Sequence, residues 1–374
     1  MKMGLKKVAL IYLGRRGGGA TYSLEIAKAL AGKAVVMSVV SMQAFNYIDW
    51  QRAGISLLPV STYENKWEFV SSTLDIMKHY ALHQAIKRFD PDVIYYPMVH
   101  FWTPLLNFGL PSTPKVVTIH DPILHQGERG ALLQFLQQTV IRQATRVVIL
   151  SQTFVDAIVK HGVPQERVDV IPHGEFSHYA PNVRLPAARE VHHPPTLLFF
   201  GRIVKYKGLE VLLEAYPLMK KQIPNLRLMI VGEGDLSSYI PLLASLSDVT
   251  VVNRWIADSE VATYFLQANV LVAPYVDASQ SGVIPIACAL KVPVVATRVG
   301  GIPEQVDDGK TGLLVPPGDP FSLAEACVRL LIDEPYAASM GIAGYEKAIR
   351  EWSWASIADQ IVLSIDRACN TGCR

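Results

Sequence analysis

Cysteine is scarce in this chain, and no run of apolar residues is long. The four cysteines, at positions 288, 327, 369 and 373, show neither a CxxC pair nor zinc-ligand spacing. We therefore expect free thiols in a reducing cytoplasm and no disulfide framework. Apolar runs such as residues 147–150 and 196–200 have the length of a strand, far short of the roughly 20 residues that a membrane span needs.

The N-terminus resembles a signal peptide only superficially. Basic residues precede the apolar run at 8–13, but this run is short, and Arg15 and Arg16 follow it directly. We interpret the run as a first β-strand.

Several catalytic signatures are also missing. The chain has no H-E-x-x-H motif and no Ser/His/Asp order, which argues against a metal hydrolase and an acyl-transfer triad. The glycines of the first loop do not have GxGxxG spacing, because Tyr22 breaks the pattern. No acidic residue ends the second strand at 39–41, so binding of a nicotinamide dinucleotide is disfavoured.

Net charge is small but uneven. The chain carries a formal charge of +2, from 35 Lys and Arg against 33 Asp and Glu. Residues 1–190 hold 20 basic and 14 acidic residues, which gives +6, and residues 191–374 hold 15 and 19, which gives −4. A basic N-terminal half suggests an anionic partner or membrane surface there, with ordinary scatter of charge as the alternative.

Short β-branched runs alternate with helical patterns along the whole chain. This alternation predicts an α/β fold with doubly wound parallel sheets. The predicted strands are 7–13, 35–40, 93–96, 116–120, 147–150, 168–171, 196–200, 227–231, 249–252, 270–273 and 292–296. Predicted helices in the first half include 23–30, 71–89, 132–144 and 154–161.

A proline-rich segment without periodicity, residues 180–195, separates the two halves and predicts a linker. We expect an N-terminal domain at 1–185, a second domain at 195–350 and a closing helix at 351–374. Ligands of open α/β sheets bind beyond the carboxyl ends of the strands. Two such domains facing each other would form a cleft lined by those loops.

Three loops carry the features of an anion site. Gly17, Gly18 and Gly19 follow the first strand and precede a helix, where a backbone can approach a phosphate; a tight turn without a ligand is the alternative. The second loop, in "FFGRIVKYKGLEVLLEA", places Arg202 and Lys207 between a strand and a helix. The planar guanidinium of Arg202 and the compact ammonium of Lys207 together suit a diphosphate. The alternative is that both are ordinary surface charges.

The third loop lies in "PYVDASQSGVIPIACALKVPVVA". Ser281 and Gly282 precede an apolar helix, so we expect free amides at Val283 and Ile284, where a helix start attracts anions. Asp277 lies just upstream and could accept hydrogen bonds from hydroxyls. A further glycine turn, residues 300–304, belongs to the same edge.

Histidines and aromatics supply further candidates. His120 ends a strand of the first domain and could face the cleft, or it could be a structural hydrogen-bonding residue. His173 is a weaker candidate of the same kind. His100 and Trp102, with Tyr95 and Tyr96, could stack against an acceptor sugar, although such aromatics more often belong to a core. A further segment consists of Arg254, Trp255 and Ile256. It could lie beside a nucleobase or form an ordinary surface loop.

Taken together, these segments resemble the family 4 glycosyltransferases of the GT-B fold. The resemblance covers nearly the whole chain and is specific through the order and spacing of its motifs. It rests on the glycine-rich first loop, "DPDVIYY", "VVTIHDP", "VILSQTFVDAIVKHGVPQERVDVIPHGEF", "GRIVKYKGLEVLLEA", "LMIVGEGD", "VATYFLQANVLVAPY", "PVVATRVGGIPEQVDDGKTGLLVPPGD" and "EWSWASIADQIVLSI".

The resemblance implies two Rossmann-like domains and a closing helix that crosses back to the first. It also implies a retaining enzyme that uses a nucleotide-diphosphate sugar, a UDP- or GDP-sugar, as donor without a metal or other cofactor. Arg202 and Lys207 match the diphosphate-binding pair, and the backbone at Gly282 and Val283 matches the phosphate cradle. His120 matches a residue near the outer hydroxyls of the donor sugar, and Asp277 stands near the position of the family's first acid.

One departure from the family pattern concerns the usual motif of two glutamates separated by seven residues. Asp277 replaces the first, and neither Pro285 nor Ile286, near the position of the second, can ionise. The second glutamate is expected to hold the ribose, so the resemblance leaves the ribose contact unassigned.

We interpret the chain as a hexosyltransferase that acts on a glycan or lipid-linked acceptor in cell-surface polysaccharide synthesis. We expect it to work in the cytoplasm, at the inner face of an anionic membrane, without nucleic acid. Two alternatives remain: a catalytically silent GT-B binding or scaffold paralogue, and a GT-B-like sugar-nucleotide epimerase.

Overall fold

A computed structural model describes residues 5–123, 130–176, 179 and 194–371. The described residues divide into two compact units: unit 1 comprises residues 5–123, 130–173 and 354–371, and unit 2 comprises residues 174–176, 179 and 194–353. The domains expected from the sequence had their first boundary at residue 185, whereas the units meet at residues 173 and 174. Most of the expected linker, residues 180–193, lies outside the described residues.

Unit 1 is built on one parallel sheet of seven strands in the order β3-β2-β1-β4-β5-β6-β7. Its inner strands are continuous apolar runs because helices cover both faces of a parallel sheet. The sequence patterns missed β3, an edge strand with the sequence SLLPV that is partly exposed and contains Pro59. The strands are β1 (Lys7–Tyr12), β2 (Val35–Ser41), β3 (Ser56–Val60), β4 (Val93–Tyr96), β5 (Lys115–Ile119), β6 (Arg146–Ile149) and β7 (Val168–Val170).

The four segments named as helical in the first half of the sequence are found in unit 1, with one correction. The single helix expected at 71–89 is two helices, because Asp75 interrupts it: its carboxylate accepts the Lys78 N–H at 3.0 Å and caps a new helix. The helices before the closing segment are α1 (Gly18–Ala31), α2 (Tyr47–Arg52), α3 (Lys66–Leu74), α4 (Ile76–Phe89), α5 (Thr103–Phe108), α6 (Ala131–Gln143) and α7 (Val155–Lys160).

Unit 2 repeats this architecture with six parallel strands in the order β10-β9-β8-β11-β12-β13. The strands are β8 (Thr196–Phe200), β9 (Arg227–Val231), β10 (Val249–Val252), β11 (Val270–Ala273), β12 (Val294–Thr297) and β13 (Gly312–Val315), the last of which the sequence patterns missed. The helices are α8 (Leu209–Gln222), α9 (Ile240–Ala244), α10 (Asp258–Gln267), α11 (Val283–Ala289), α12 (Ile302–Gln305), α13 (Pro320–Ile332) and α14 (Glu334–Glu351).

The closing helix α15 (Trp354–Thr371) belongs to unit 1, as the sequence predicted. Its apolar stripe, Ile357, Ile361 and Ile365, is buried in the same core as α1. Asp169 of β7 also anchors it: its carboxylate accepts hydrogen bonds from Ser364 Oγ at 2.6 Å and Arg367 Nη1 at 2.7 Å. The same carboxylate receives Arg146 Nε at 2.6 Å and Arg146 Nη2 at 2.8 Å.

Each sheet has a point where the strand order reverses, and loops on the two sides of that point adjoin beyond the carboxyl ends of the strands. In unit 1 it lies between β1 and β4, so the loops after these strands are neighbours. In unit 2 it lies between β8 and β11, which brings residues 201–208 beside residues 274–282.

The described cysteines agree with the expectation of free thiols. Cys288 and Cys327 are buried and Cys369 is half-buried, all three without a disulfide, and Cys373 lies outside the described residues. In the part of the chain that the structure describes, no helix combines the length and apolar character needed to cross a membrane.

Candidate functional site

The loop after β8 is tightly folded around Gly201. This glycine has φ +104°, and a Cβ there would lie 2.7 Å from Lys207 Nζ. A Cβ on Gly232, after β9, would lie 2.0 Å from the Gly201 carbonyl oxygen. The left-handed backbone favours glycine at both positions, and at Gly232 the close approach of a backbone carbonyl also excludes a side chain. The "VGEGD" segment, which the sequence tied only to the family resemblance, thus supports this loop.

Lys207 is a buried cation without an acceptor. Its side chain is 9% exposed, and Nζ donates no hydrogen bond to any residue within the described ranges. The ammonium instead lies over the Tyr275 ring, 5.3 Å from the centroid. Burial, and then the nearby Arg202 charge, lower the pKa of Lys207 to about 7. Such a group gains most from an anion that enters the site.

Arg202 adds a second positive charge at the same loop. It is exposed, and its Nη2 donates to the Tyr206 hydroxyl at 3.2 Å. The Tyr206 carbonyl accepts the Val276 N–H at 2.8 Å, which joins the loop after β8 to the loop after β11. The fold therefore brings Arg202 and Lys207, predicted as a diphosphate-binding pair, to one side of the loop that holds Asp277 and Ser281.

The expectation of free amides at the start of α11 is wrong. Ser281 Oγ accepts the Val283 N–H at 3.2 Å and the Ile284 N–H at 3.4 Å. The hydroxyl caps the helix because the first amides of a helix lack partners within it. Gly282 borders open space, since a Cβ there would meet nothing within 4 Å. An incoming phosphate would therefore meet Gly282 and a capped helix start.

The Gln305 side chain holds the backbone of Ser281 in place, and the sequence patterns did not identify this residue. Its Oε1 accepts the Ser281 N–H at 2.8 Å, and its Nε2 donates to the Ser281 carbonyl at 2.9 Å. The Tyr275 hydroxyl lies 3.2 Å from Ser281 Oγ. Burial raises the pKa of Tyr275 to about 12, so it stays a neutral hydroxyl. The sequence signal that could have identified Gln305 is its position just after the glycine turn "GGIPE".

The remaining candidates of unit 2 lie on neighbouring loops. Asp277 is half-buried, and its N–H approaches the Tyr206 carbonyl at 3.4 Å. Arg254 forms a bidentate ion pair with Glu260, at 2.9 and 2.5 Å. Trp255 is exposed, whereas Ile256 is buried in the core. Of the predicted nucleobase segment, the Trp255 ring is thus the surface best placed to stack.

In unit 1, His120 is held by backbone and aromatic neighbours. Its Nε2 hydrogen-bonds the Pro97 carbonyl at 2.9 Å, which assigns the proton to Nε2 and leaves Nδ1 an acceptor. The Tyr22 ring lies edge-on to two histidine rings, with its centroid 4.9 Å from that of His120 and 5.1 Å from that of His173. Burial lowers the pKa of His120, which favours the neutral ring.

The glycine-rich loop also lies at this edge of unit 1. Gly17 has φ +92° and precedes α1, and a Cβ on Gly17 or Gly18 would meet nothing within 4 Å. A Cβ on Gly19 would lie 2.8 Å from the Met98 Cε, so Gly19 permits close approach of the loop after β4. Two of the three glycines thus border open space.

The aromatic acceptor surface expected near residue 100 is wrong. Trp102 is fully buried, and its Nε1 donates to Thr73 Oγ1 at 2.8 Å. Tyr95 and Tyr96 are likewise buried in the core. Both ring nitrogens of His100 form hydrogen bonds within unit 1. Nδ1 accepts the Trp102 N–H at 3.2 Å, and Nε2 bonds the Tyr63 hydroxyl at 3.2 Å. These side chains therefore stabilise the loop after β4.

Both units are doubly wound parallel α/β units, and unit 2 has paired cations and a capped helix start at its switch point, the place where open α/β sheets bind their ligands. Among the described residues, no group of three or more His, Cys, Asp or Glu could hold a metal ion. The positive charge of the site in unit 2 comes from Arg202 and Lys207.

Comparison with known proteins shows the family. A model described as Glycosyltransferase Family 4 matches residues 16–174, and one described as Glycosyl transferases group 1 matches residues 194–333. A D-inositol 3-phosphate glycosyltransferase of Pseudarthrobacter chlorophenolicus is 30% identical over 293 residues, covering 71% of this chain and 69% of that protein. The chain belongs to glycosyltransferase family 4.

Other relatives match over a shorter stretch. A GDP-mannose-dependent alpha-(1-6)-phosphatidylinositol monomannoside mannosyltransferase of Mycolicibacterium smegmatis is 34% identical over 170 residues, 43% of this chain and 44% of that protein. The chain thus spans less than half the length of this relative and of several others.

Solved structures confirm the GT-B fold predicted from the sequence. The Anabaena protein Alr3699/HepE, crystallised with UDP and glucose, superposes with a TM-score of 0.77 at 18% identity, covering 96% of this chain and 99% of that one. Sucrose-phosphate synthase from Thermosynechococcus elongatus superposes with a TM-score of 0.73 at 21% identity, covering 98% of this chain and 100% of that one.

Proposed function

We propose that this protein transfers a sugar from a nucleotide-diphosphate donor to a glycan or lipid-linked acceptor. The observation that carries the proposal is Lys207, a buried ammonium without an acceptor in the described part of the chain, at the switch point of unit 2. A diphosphate would supply the missing negative charge. Family membership supports sugar transfer, and relatives with GDP-mannose in their names, together with a fold neighbour solved with UDP, support a GDP- or UDP-sugar.

The site suits departure of a diphosphate. When the glycosidic bond to phosphate breaks, negative charge grows on the leaving oxygens. Protonated Lys207 and Arg202 would stabilise that charge through charge-assisted hydrogen bonds, and the N-terminal end of α11 beside Gly282 would add its dipole. These groups supply the charge that a divalent metal would otherwise bring, so we propose transfer without a metal.

The catalytic residues proposed from the sequence keep their roles here. His120 would accept a hydrogen bond from an outer hydroxyl of the donor sugar through Nδ1, because Nε2 is committed to Pro97. Asp277 would accept from another hydroxyl. We propose retention of the anomeric configuration from family membership, and the anomeric proton coupling of the product measures it directly.

The glycine-rich loop, Gly17 to Gly19, is proposed to approach donor or acceptor, since Gly17 and Gly18 border open space. The acceptor belongs to unit 1 in this proposal. The names of two relatives mention phosphatidylinositol monomannoside and D-inositol 3-phosphate. We propose work at the cytoplasmic face of an anionic membrane, in polysaccharide synthesis at the cell surface.

A second candidate function is a catalytically silent paralogue. It is favoured by one observation: Ile286, near the position where the family places its second acid, is buried in an apolar core. Such a protein would bind the sugar nucleotide without cleaving the bond between the sugar and the diphosphate.

The test combines binding and turnover, both in EDTA. Thermal shifts with UDP, GDP, ADP and TDP identify the base, because a ligand at 100 times its Kd stabilises by roughly 2.7 kcal/mol. The matching sugar nucleotides are then incubated with and without a membrane extract. Nucleotide release that depends on the extract supports transfer. Binding without release supports the silent paralogue, conversion of donor alone indicates an epimerase, and absence of any shift contradicts the donor site.

A further inference from the structure

Two consecutive side chains in the loop between β11 and α11 bury polar atoms that have no hydrogen-bond partner among the described residues. Ser279 is 2% exposed, and its Oγ makes no hydrogen bond with the described residues. The Oε1 atom of the next residue, Gln280, is buried and equally unpartnered. Most buried polar side-chain atoms in proteins have a partner, so two neighbouring exceptions require a physical cause.

The surrounding loop is fixed, so these side chains do not gain partners by a simple backbone shift. The Ser279 carbonyl accepts the Gly301 N–H at 3.1 Å. On the other side, the Gln305 carboxamide forms two hydrogen bonds with the Ser281 backbone, at 2.8 and 2.9 Å. The glycine turn and α12 therefore hold the loop at both ends, and hydrogen-bond capacity is left over inside it.

The position of this loop points to hydroxyl groups as the missing partners. It runs from Asp277 to Ser281, directly after Tyr275, whose ring centroid lies 5.3 Å from the Lys207 ammonium where the proposed diphosphate binds. The Val276 N–H also donates to the Tyr206 carbonyl at 2.8 Å, which joins this loop to the loop that carries Lys207. Any sugar nucleotide carries hydroxyls on both sides of its diphosphate. Ile286, near the position that resemblance gives to a ribose-binding acid, is 6% exposed and cannot accept a hydrogen bond.

We propose that Ser279 and Gln280 bind hydroxyl groups of the sugar nucleotide and so replace the absent carboxylate. This inference rests on the proposed function, because it takes the diphosphate at Lys207 as the ligand's anchor. Ser279 Oγ can both donate and accept, and Gln280 Oε1 accepts. Neutral groups here do not repel the negatively charged diphosphate, whereas a glutamate at the same place would. The hydroxyls come from the ribose or from the transferred sugar.

The experiment pairs variants with ligands that lack single hydroxyls. Ser279→Ala and Gln280→Met remove the polar atoms at nearly constant volume, and Gln222→Met, at the exposed end of α8, is the matched control. Calorimetry measures Kd for pyrophosphate, the preferred nucleoside diphosphate, its 2′- and 3′-deoxy forms, and its sugar nucleotide.

Ribose recognition predicts that Gln280→Met or Ser279→Ala weakens the ribonucleotide about tenfold and leaves one deoxy form unchanged. Recognition of the transferred sugar predicts an unchanged nucleoside diphosphate and about tenfold loss only with the sugar nucleotide. Pyrophosphate binding stays at the wild-type value in both cases.

The proposal is overturned if both variants bind every ligand as the wild type does, or if they weaken all ligands equally, pyrophosphate included. A wild type that binds no phosphate ligand overturns the proposed function as well, so the two failures are distinguishable.

Discussion

The Lys207 ammonium lies 5.3 Å above the centre of the Tyr275 ring, and the hydroxyl of that same ring lies 3.2 Å from Ser281 Oγ. One aromatic side chain therefore joins the buried cation to the residue that caps α11. Because Gln305 holds Ser281 through its backbone, the cation, the ring and the helix start form one connected group.

Replacing Lys207 by methionine should weaken binding of the nucleoside diphosphate roughly ten- to hundredfold. A hydrogen bond to a charged group contributes about 1.5–3 kcal/mol, and each 1.4 kcal/mol is a factor of ten. The Tm of the free protein should stay the same or rise, because methionine does not require burial of a charge. Calorimetry and thermal unfolding measure the two effects, with exposed Lys221→Met as control. Equal affinity in the variant and the wild type would contradict the assignment.

Binding of the diphosphate should weaken as pH rises above about 7. Lys207 has its pKa lowered to about 7, so at higher pH the free protein carries a neutral amine that must take up a proton when the anion binds. The Kd then rises by at most about tenfold per pH unit. The Lys207→Met variant should show a flatter profile between pH 7 and 9. Calorimetry in two buffers of different ionisation enthalpy counts the proton taken up; no uptake at pH 8 would refute the prediction.

Gly201→Ala should destabilise the free protein by about 1–3 kcal/mol and weaken diphosphate binding. The backbone there has φ +104°, and the new methyl would lie 2.7 Å from Lys207 Nζ. Gly32→Ala is the matched control, because its φ is −82° and a Cβ there meets nothing within 4 Å. Chemical denaturation gives both free energies of unfolding. A variant as stable as the control would show that the left-handed backbone at residue 201 is absent in solution.

His120→Ala should abolish most transfer and leave the Kd of the nucleoside diphosphate unchanged. The ring is proposed to accept from a sugar hydroxyl, which the diphosphate alone lacks. Since burial lowers the pKa of His120, the ring stays neutral from pH 6.5 to 8, and transfer should show no loss from its protonation in that range. Donor binding and initial rates across pH measure both. Weaker nucleoside diphosphate binding in the variant would count against this role.

Asp169→Asn should destabilise the protein by about 3–5 kcal/mol, because Arg146 would lose its buried charge partner. Burial by itself raises the pKa of Asp169, but hydrogen bonds from Arg146 and Ser364 and the charges of Arg146 and Arg367 outweigh it and hold the pKa low. The difference from the wild type should therefore be full above pH 4 and shrink as pH falls through the folded-state pKa. Denaturation at pH 3 and 7 measures it.

Asp359→Asn is the control for this last prediction. Its ion pair with Lys33 is largely exposed, and exposed pairs contribute at most about 1 kcal/mol. Equal destabilisation by the two substitutions would show that the Asp169 network does not anchor α15.

Local patterns sufficed for much of the fold. Continuous β-branched runs identified the inner strands, since both faces of a parallel sheet are buried. The edge strand at Ser56–Val60 escaped because it contains proline and its pattern is half exposed. The break at Asp75 escaped because the helical periodicity continues across it, and only the cap reveals it.

The sequence by itself determined which loops carry the candidate chemistry: glycines after β1, Arg202 and Lys207 after β8, and the Ser-Gly start of α11. Residue type and spacing along a strand–loop–helix unit are local properties. The tertiary structure alone decided which polar groups already have partners. The Ser281 cap of Val283 and Ile284 is local, whereas three contacts are not: Trp102 Nε1 with Thr73, His100 Nε2 with Tyr63, and Gln305 with Ser281. The tertiary structure decided these three, because contacts between residues far apart in sequence depend on strand order, which no local pattern records.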